Sequence, residues 1–197
     1  MNIGMQIISN LIQFARDPSN PAVVEPLTTT IGKFPPFRWS INNHIKRTPL
    51  APQLARLTRQ PIPYDALADM PTGSYGYELH YWRSRWNVPQ IENSWLKIEP
   101  WPLARFLKFH DMMHAIANIP PTVTGEIQMQ AFLRGTGRPD LMAKLSVVSN
   151  ALLAWNHCGL LFGGYAEWRG KRDGRKLQNI DLLMFPYELV YGEQMKW

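Results

Sequence analysis

Two histidines and two carboxylates near the middle of the chain have a spacing that suits metal binding. His110 and His114 are four residues apart, Asp111 follows the first histidine, and Glu126 comes twelve residues after the second. On an α-helix, residues three or four apart are neighbours on the same face. We therefore expect the polar heads of His110, Asp111 and His114 to converge on one side of a helix.

The chain must reverse its direction directly after this helix. Pro120 and Pro121 end the helical pattern, and a second helix packed antiparallel would bring Glu126, near its start, opposite the two histidines. Imidazole and carboxylate groups suit a divalent cation, either tetrahedral zinc with an open position or a more oxygen-rich magnesium, manganese or iron site. The spacing thus predicts a metal site made by these four residues.

Two other interpretations of the motif are open. The histidines can be ordinary helix residues that bond to neighbouring carbonyls, with Asp111 paired to Arg105 or Lys108. The motif also resembles the zincin metalloprotease helix, in which a glutamate follows the first histidine and acts as general base. Here Asp111 has a shorter side chain, and no third ligand follows at zincin spacing. Proteolysis is therefore disfavoured.

The composition is that of a basic but sparsely charged globular protein. The 197 residues include 21 Lys and Arg against 15 Asp and Glu, which gives a net charge of +6, and 45% of the residues are hydrophobic. This length and apolar content can bury a core, which excludes intrinsic disorder. The single cysteine, Cys158, excludes a disulfide framework and a Cys-rich zinc module. Since the N-terminus has no secretory signal pattern, we expect a cytoplasmic location.

Apolar residues recur at helical spacing along most of the chain, whereas strand alternation is nearly absent. The pattern predicts an all-α protein, a single helical domain over residues 1–197, with Pro-rich connections at residues 18–36 and 61–71. Helices are predicted near the N-terminus, after a Thr48 cap, from Tyr75 to a stop near Pro89, from Phe106 to Ile119, after Thr122 or Thr124, and from Asp140 to about Asn156. Residues 169–176 are predicted to form a basic, Gly-containing loop.

The span between Lys144 and Glu167 has no formal charge and is long enough to cross a bilayer, which takes about 20 residues. It also contains serine, asparagine and glycine residues, which would bring polar groups and helix breaks into hydrocarbon. We therefore predict a buried central helix followed by a turn.

Three stretches of the chain resemble the coenzyme Q (ubiquinone) biosynthesis protein four family. The strongest is the His-Asp-x-x-His motif at residues 110–114, followed after eleven residues by Glu126, with the string IPPTVTGE at residues 119–126. The string LADMPTGSYG at residues 67–76 is similar to the family's upstream turn, and LLMFPYE at residues 182–188 is similar to its aromatic-Glu segment.

The resemblance implies an all-helical protein bound peripherally at the inner membrane, with an apolar groove or tunnel for a polyprenyl lipid. It implies a divalent metal, zinc by family resemblance with magnesium also open, at His110, Asp111, His114 and Glu126. The implied role is in ubiquinone biosynthesis, either as a metal-dependent oxidative decarboxylase of the quinone-ring precursor or as a non-catalytic scaffold or lipid carrier for the other enzymes. In the first case Asp111 or Glu126 would be the catalytic proton carrier wherever it is not a metal ligand.

Several other residues are compatible with a lipid as the partner. The unbranched side chains of Met112, Met113 and Met129 flank the polar motif and can line a slot for a prenyl tail, although ordinary core packing is the favoured explanation for any one of them. The basic residues at 169–176 could hold an anionic phospholipid or a prenyl phosphate. Exposed aromatic and Met surface makes a homodimer plausible. No nucleic-acid-binding motif accompanies the positive charge, so nucleic acid is not expected as a partner.

Overall fold

All regular elements in the described part of the chain are helical. The structure is a computed structural model of the chain, and it describes residues 2–17, 21–88, 98–136 and 141–195. An isolated bridge joins Ser74 to Gln194. The prediction of an all-α fold is confirmed. Among the described residues, no helix combines the length and the apolar character that a membrane crossing requires.

The helices are α1 (Ile3–Arg16), α2 (Pro21–Lys33), α3 (Pro35–Lys46), α4 (Ala51–Thr58), α5 (Tyr64–Leu67), α6 (Tyr75–Trp86), α7 (Trp101–Ala117), α8 (Val123–Gly135), α9 (Leu141–Leu153) and α10 (Gly159–Gly174). A π-helical turn, Ala154–Cys158, joins α9 to α10. Short 3-10 turns follow at Arg175–Leu177 and Tyr187–Leu189.

Contacts divide the chain into two compact units, each made from two stretches of sequence. Unit 1 contains Met1–Arg47 and Thr122–Ile180, and unit 2 contains Thr48–Pro121 and Asp181–Trp197. The single-domain organisation stays a prediction.

In unit 1, α10 packs closely against α8 through residues without side chains. A Cβ added at Gly170 would clash with the carbonyl oxygen of Gln128, and one added at Gly174 would clash with the carbonyl oxygen of Phe132. Glycine at these positions therefore lets two helix backbones approach each other more closely than larger residues would allow. Behind this contact the small core cluster contains Ala15, Ile127, Leu153, Ala154 and Ala166.

Two matched glycine substitutions test this packing. We expect Gly170→Ala to lower the free energy of unfolding by about 2–3 kcal/mol, because the added methyl group meets backbone that cannot move aside. Gly164 lies on the exposed side of the same helix, with no heavy atom within 4 Å of an added Cβ. Gly164→Ala should raise stability by about 0.5–1 kcal/mol, because alanine favours the helix. Urea denaturation measures the free energy of unfolding of both variants. The account is contradicted if both substitutions lower it.

The polar residues of the uncharged span serve the interior of unit 1. The side chain of Asn150 donates to the carbonyl oxygen of Ile127 over 3.0 Å and to Glu167 over 2.6 Å. Arg134 from α8 also bonds to Glu167 and to Ser146. Hydrogen bonding thus pairs the Asn150 amide nitrogen and the Arg134 guanidinium inside unit 1. The uncharged span is not buried as a whole, because Val147, Val148 and Trp155 are exposed, so the prediction of a buried central helix is correct only for part of it.

In unit 2, α7 is buried on most of its surface and contacts α4 and α6. The C-terminal segment runs alongside: the Tyr75 and Gly76 backbone N–H groups donate to the carbonyl oxygens of Glu193 and Tyr191, and Met195 donates to that of Gly73. These bonds tie the start of α6 to the end of the chain. The helix predicted from Tyr75 is present, with Ser74 as the N-cap.

Burial raises the pKa of Tyr191 well above its ordinary value, and its hydroxyl has no hydrogen-bond partner within the described residues. Because the unfolded phenol ionises near pH 10 while the folded one stays protonated, folding stability should fall as the pH rises above about 10. Tyr191→Phe removes the unsatisfied hydroxyl and this proton linkage. We expect the variant to be about 1 kcal/mol more stable near pH 7 and less sensitive to alkali. Urea titrations at about pH 7 and pH 11 measure both effects, and a less stable variant would contradict this account.

Several predicted boundaries differ from the structure. Residues 18–36, predicted as a connection, contain α2 and the start of α3, since Pro21 and Pro35 each occupy the first turn of a helix, where proline is tolerated. The helix after Thr48 begins at Ala51 with Leu50 as its N-cap, so Thr48 is not the cap. Asp140 and Pro89 lie outside the described residues.

The predicted basic loop at residues 169–176 is also wrong, because those residues form the end of α10 and a 3-10 turn. Gly170 and Gly174, which suggested a loop, instead allow the close contact with α8.

Candidate metal centre

The end of α7 brings a backbone carbonyl against the second histidine. Asn118 takes the left-handed conformation (φ 49°) and ends the helix, as asparagine commonly does at this position. The Ile119 N–H then donates to the carbonyl oxygen of His114 over 2.9 Å. The reversal predicted at Pro120 and Pro121 thus begins with a defined cap that places Ile119 beside His114.

The carbonyl oxygen of Ile119 orients the His114 ring. It accepts from Nδ1 of His114 at 3.2 Å and from Nε1 of Trp82 at 2.9 Å, and the two rings are 5.3 Å apart between centroids. A carbonyl oxygen only accepts, so Nδ1 carries the hydrogen and Nε2 carries the lone pair. This is the arrangement found in metal-binding histidines, in which the second ring nitrogen donates to an outer partner.

His110 lies one turn earlier on the same side of α7. The centroids of its ring and the His114 ring are 4.7 Å apart at an angle of 67°, and the Phe106 ring is 5.6 Å away on the other side. His114 is fully buried, whereas His110 is partly exposed. The pair predicted from the four-residue spacing is therefore present, with one imidazole in the interior and the other nearer to solvent.

Glu126 lies in the first turn of α8, where the helix starts on a side-chain cap. Oγ1 of Thr122 accepts from the backbone N–H of Gly125 at 3.1 Å, so Thr122, one of the two residues predicted as the cap, takes that position. A carboxylate in the first turn is favoured by the helix dipole. Local sequence thus fixes where Glu126 is presented.

One ligand atom each from His110, His114 and Glu126 can be chosen so that all three lie within 4.8 Å of one another. Ligand atoms bonded at about 2.0–2.2 Å to a tetrahedral zinc ion are roughly 3.3–3.6 Å apart, so donors that are separated by more than this would move closer together around an ion. Two imidazoles and one carboxylate are also a donor set that zinc and other divalent cations use. This cluster could therefore hold a metal ion.

Asp111 has a different environment from the one the spacing predicts. It is buried and accepts a hydrogen bond at Oδ2 from Nη1 of Arg83 in α6. The Arg83 guanidinium lies over the Tyr64 ring, 4.5 Å from its centroid. Oδ1 of Asp111 is 3.8 Å from Nδ1 of His110. Asp111 is thus next to the candidate site without being one of its three clustered residues, and its cation partner is not Arg105 or Lys108.

Sequence analysis did not identify Arg83 or Trp82 as supporting residues. Both are buried on α6, and they act on Asp111 and, through the Ile119 carbonyl, on His114. Their positions depend on how α6 packs against α7, which no short spacing encodes. The one sequence signal for these two residues was the presence of a basic and an aromatic side chain side by side on a helix that also carries core residues.

The three methionines predicted to bind lipid, Met112, Met113 and Met129, are all fully buried. Their burial agrees with the core-packing alternative, and the lipid-binding role stays a prediction.

Comparison with known proteins gives a consistent result. The family model of coenzyme Q (ubiquinone) biosynthesis protein Coq4 matches residues 46–196. Over 80 residues, 38% of this chain, the sequence is 31% identical to the mitochondrial ubiquinone biosynthesis protein COQ4 of Saccharomyces cerevisiae strains YJM789 and RM11-1a. That match spans 24% of the yeast protein, so the chain covers about a quarter of the length of these relatives.

A solved structure has the same fold. The crystal structure of a candidate ubiquinone biosynthesis protein from Nostoc punctiforme PCC 73102 superposes with a TM-score of 0.71 and covers 97% of this chain and 93% of that one, at 18% sequence identity. This likeness shows the fold alone. The family model, in contrast, spans most of the chain, including both histidines and Glu126. The chain therefore belongs to the coenzyme Q (ubiquinone) biosynthesis protein Coq4 family.

Proposed function

We propose that this protein acts in ubiquinone biosynthesis by holding a polyprenyl lipid or prenylated quinone precursor beside a divalent metal ion. The observation that carries the proposal is the cluster of His110, His114 and Glu126 in a chain of this family. Either zinc or magnesium would suit the proposal, and the histidine-rich donor set favours zinc.

The three clustered residues would be the metal ligands. The metal, when bound, would polarise a ring carboxylate or hydroxyl of the precursor. His114 keeps a fixed ring orientation through its Nδ1–H bond to Ile119. Glu126 would move a proton wherever it is not bound to the metal, and Asp111, with its charge balanced by Arg83, would orient His110.

The partners follow from the same proposal. Met112, Met113 and Met129 have flexible thioether side chains that can repack around a prenyl tail. The protein would work in the cytoplasm at the surface of the inner membrane, as a homodimer and beside other quinone-synthesis enzymes. Nucleic acid is not a proposed partner.

The test is oxidative decarboxylation of a prenylated hydroxybenzoate-type acid by the purified, metal-loaded chain. Replacing the ring carboxyl by a hydroxyl releases CO₂ and removes two electrons from the substrate. Half a molecule of dioxygen accepts these electrons and provides the hydroxyl oxygen, which balances the reaction. Mass spectrometry would follow the hydroxylated product. We expect product with the wild-type chain and a loss of at least about 100-fold with Glu126→Ala, since a ligand or proton carrier is removed.

The alternative is a non-catalytic scaffold or lipid carrier for quinone-synthesis enzymes. It predicts prenyl lipid that co-purifies with the chain and no turnover at any metal loading. Product formation would exclude it, and bound lipid without product would favour it. Absence of both lipid and product would contradict the proposed function.

A further inference from the structure

The outer face of α10 exposes large apolar side chains. Leu161, Tyr165, Trp168 and Arg172 follow one another at helical spacings of four, three and four residues, so they share one side of the helix. Leu161 is 90% exposed, Tyr165 60% and Trp168 53%. The Tyr165 and Trp168 rings contact each other at 5.9 Å.

The start of the helix adds an apolar tip to this face. The tip consists of Trp155, Leu160 and Phe162, which are 73%, 59% and 72% exposed. A soluble protein rarely exposes so many large apolar side chains together unless they bind something. They are not a core stripe, because α10 meets α8 through Gly170 and Gly174 on its other side. We call the tip together with Leu161, Tyr165 and Trp168 the α10 surface.

Positive charge follows the α10 surface directly. The basic residues are Arg169, Lys171, Arg172, Arg175 and Lys176. Asp173 is the single acidic residue among them, and it interacts with Arg169, Arg172 and Lys176. The Arg172 guanidinium lies over the Trp168 ring, 5.0 Å from its centroid. The apolar tip, the aromatic middle and the basic end thus follow one another along α10 and the two turns that flank it.

We propose that the α10 surface is where the protein docks on an anionic lipid bilayer. Leucine and phenylalanine at the tip would enter the acyl boundary, and the Trp and Tyr rings would lie at headgroup level, where such side chains are favoured. The basic residues would face anionic headgroups. A second copy of the chain fits less well, because an antiparallel two-fold pairing would place each basic end against the apolar tip of the other copy, and a parallel pairing would bring the two basic ends together.

This inference deepens the proposed membrane association and differs from the positions that sequence favoured. Sequence analysis placed the lipid-facing charge on a loop and gave no role to Trp155, Leu161 or Phe162. The α10 surface contains none of the three clustered residues His110, His114 and Glu126, so the inference does not depend on metal binding.

Vesicle co-sedimentation tests the apolar part. The full chain is mixed with vesicles of phosphatidylcholine alone or of equimolar phosphatidylcholine and phosphatidylglycerol. We expect binding to the anionic vesicles, and a loss of about ten-fold or more for Leu161→Ser combined with Phe162→Ser, since two apolar side chains no longer enter the bilayer. Trp155→Ser and Trp39→Ser form a matched pair, with exposures of 73% and 71%. Only the first should weaken binding.

A charge variant tests the basic end. Lys171→Gln with Arg175→Gln should lower binding to the anionic vesicles by about five-fold for each charge removed and leave any binding to phosphatidylcholine unchanged. All substituted positions are exposed, and thermal unfolding followed by circular dichroism confirms that the variants fold.

The outcomes separate this inference from the proposed function. Wild-type vesicle binding that the α10 variants share fully would overturn the docking surface and leave membrane association standing. If the wild-type chain binds neither kind of vesicle, both the docking surface and the proposed membrane association are overturned. A dimer in analytical ultracentrifugation that the Leu161→Ser and Phe162→Ser changes dissociate, with no vesicle binding, would show that a second copy covers this surface.

Discussion

Replacement of His114 or Glu126 by alanine is expected to lower the affinity of the protein for Zn²⁺ by at least about 100-fold. Each change removes one of three clustered ligands, and loss of a direct ligand should exceed the roughly 10- to 100-fold effect of losing an outer-shell partner. His110→Ala should behave in the same way. A competition titration against a chromophoric zinc chelator measures all three variants against the wild-type chain.

Two further variants make this prediction sharp. His80→Ala removes a histidine of α6 that lies outside the cluster, so it should leave zinc affinity unchanged. Asp111→Asn should lower zinc affinity by no more than about 10-fold but reduce stability, because the buried Arg83 loses its anionic partner. Equal affinity in the wild-type and Glu126→Ala chains would exclude Glu126 as a ligand. A loss with Asp111→Asn as large as with His114→Ala would return Asp111 to the ligand set.

The part of the candidate site that sequence predicted is the part that local geometry determines. His110 and His114 share a face because they are four residues apart on one helix, and the turn after Asn118 and the Thr122 cap set where Glu126 begins its helix. Asp111 could not be placed in this way. It is one residue from His110 and therefore turned about 100° around α7, where it meets Arg83 of α6, and only the packing of the two helices decides that contact.

The fold shows the same limit. Helix type was predictable because apolar spacing repeats over many residues, whereas the meaning of glycine and proline was not. Pro21 and Pro35 begin helices where sequence indicated a connection, and Gly170 and Gly174 lie inside a helix where sequence indicated a loop. Both residue types break helices in isolation, but a first-turn position accepts proline and a close backbone contact requires glycine. The sequence alone does not show where a helix begins or where two helix backbones come close, so these roles of proline and glycine could not be predicted.

The buried charges beside α7 give the second large expected effect. Arg105 and Lys108 are almost wholly buried, and both bond to the Glu188 carboxylate, at 2.9 and 3.0 Å from Arg105 and 3.0 Å from Lys108. Arg105 also donates to the carbonyl oxygen of Leu183 at 2.8 Å, and Lys108 to that of Leu57 at 2.7 Å. One carboxylate thus balances two cations and joins the C-terminal segment to α7.

Glu188→Gln should therefore lower the free energy of unfolding by about 3–5 kcal/mol, because it leaves two buried cations without an anion. Asp173→Asn is the matched control: it removes a carboxylate that pairs with Arg169, Arg172 and Lys176 but lies near the surface, and it should cost less than about 1 kcal/mol. Urea denaturation of both variants makes the comparison. Similar losses in the two variants would show that Glu188 contributes no more than a surface ion pair.

The pH dependence of the Glu188→Gln deficit identifies its cause. Burial lowers the pKa of Lys108 below its ordinary value, although Glu188 acts to raise it. Without Glu188 this opposing effect disappears, so the folded variant gives up the Lys108 proton at a lower pH than the unfolded chain does. Between those two pKa values the unfolded state binds more protons, and stability rises with pH. The deficit should shrink as the pH rises towards the ordinary lysine pKa of about 10.4, whereas a deficit caused by lost packing alone would stay constant over that rise.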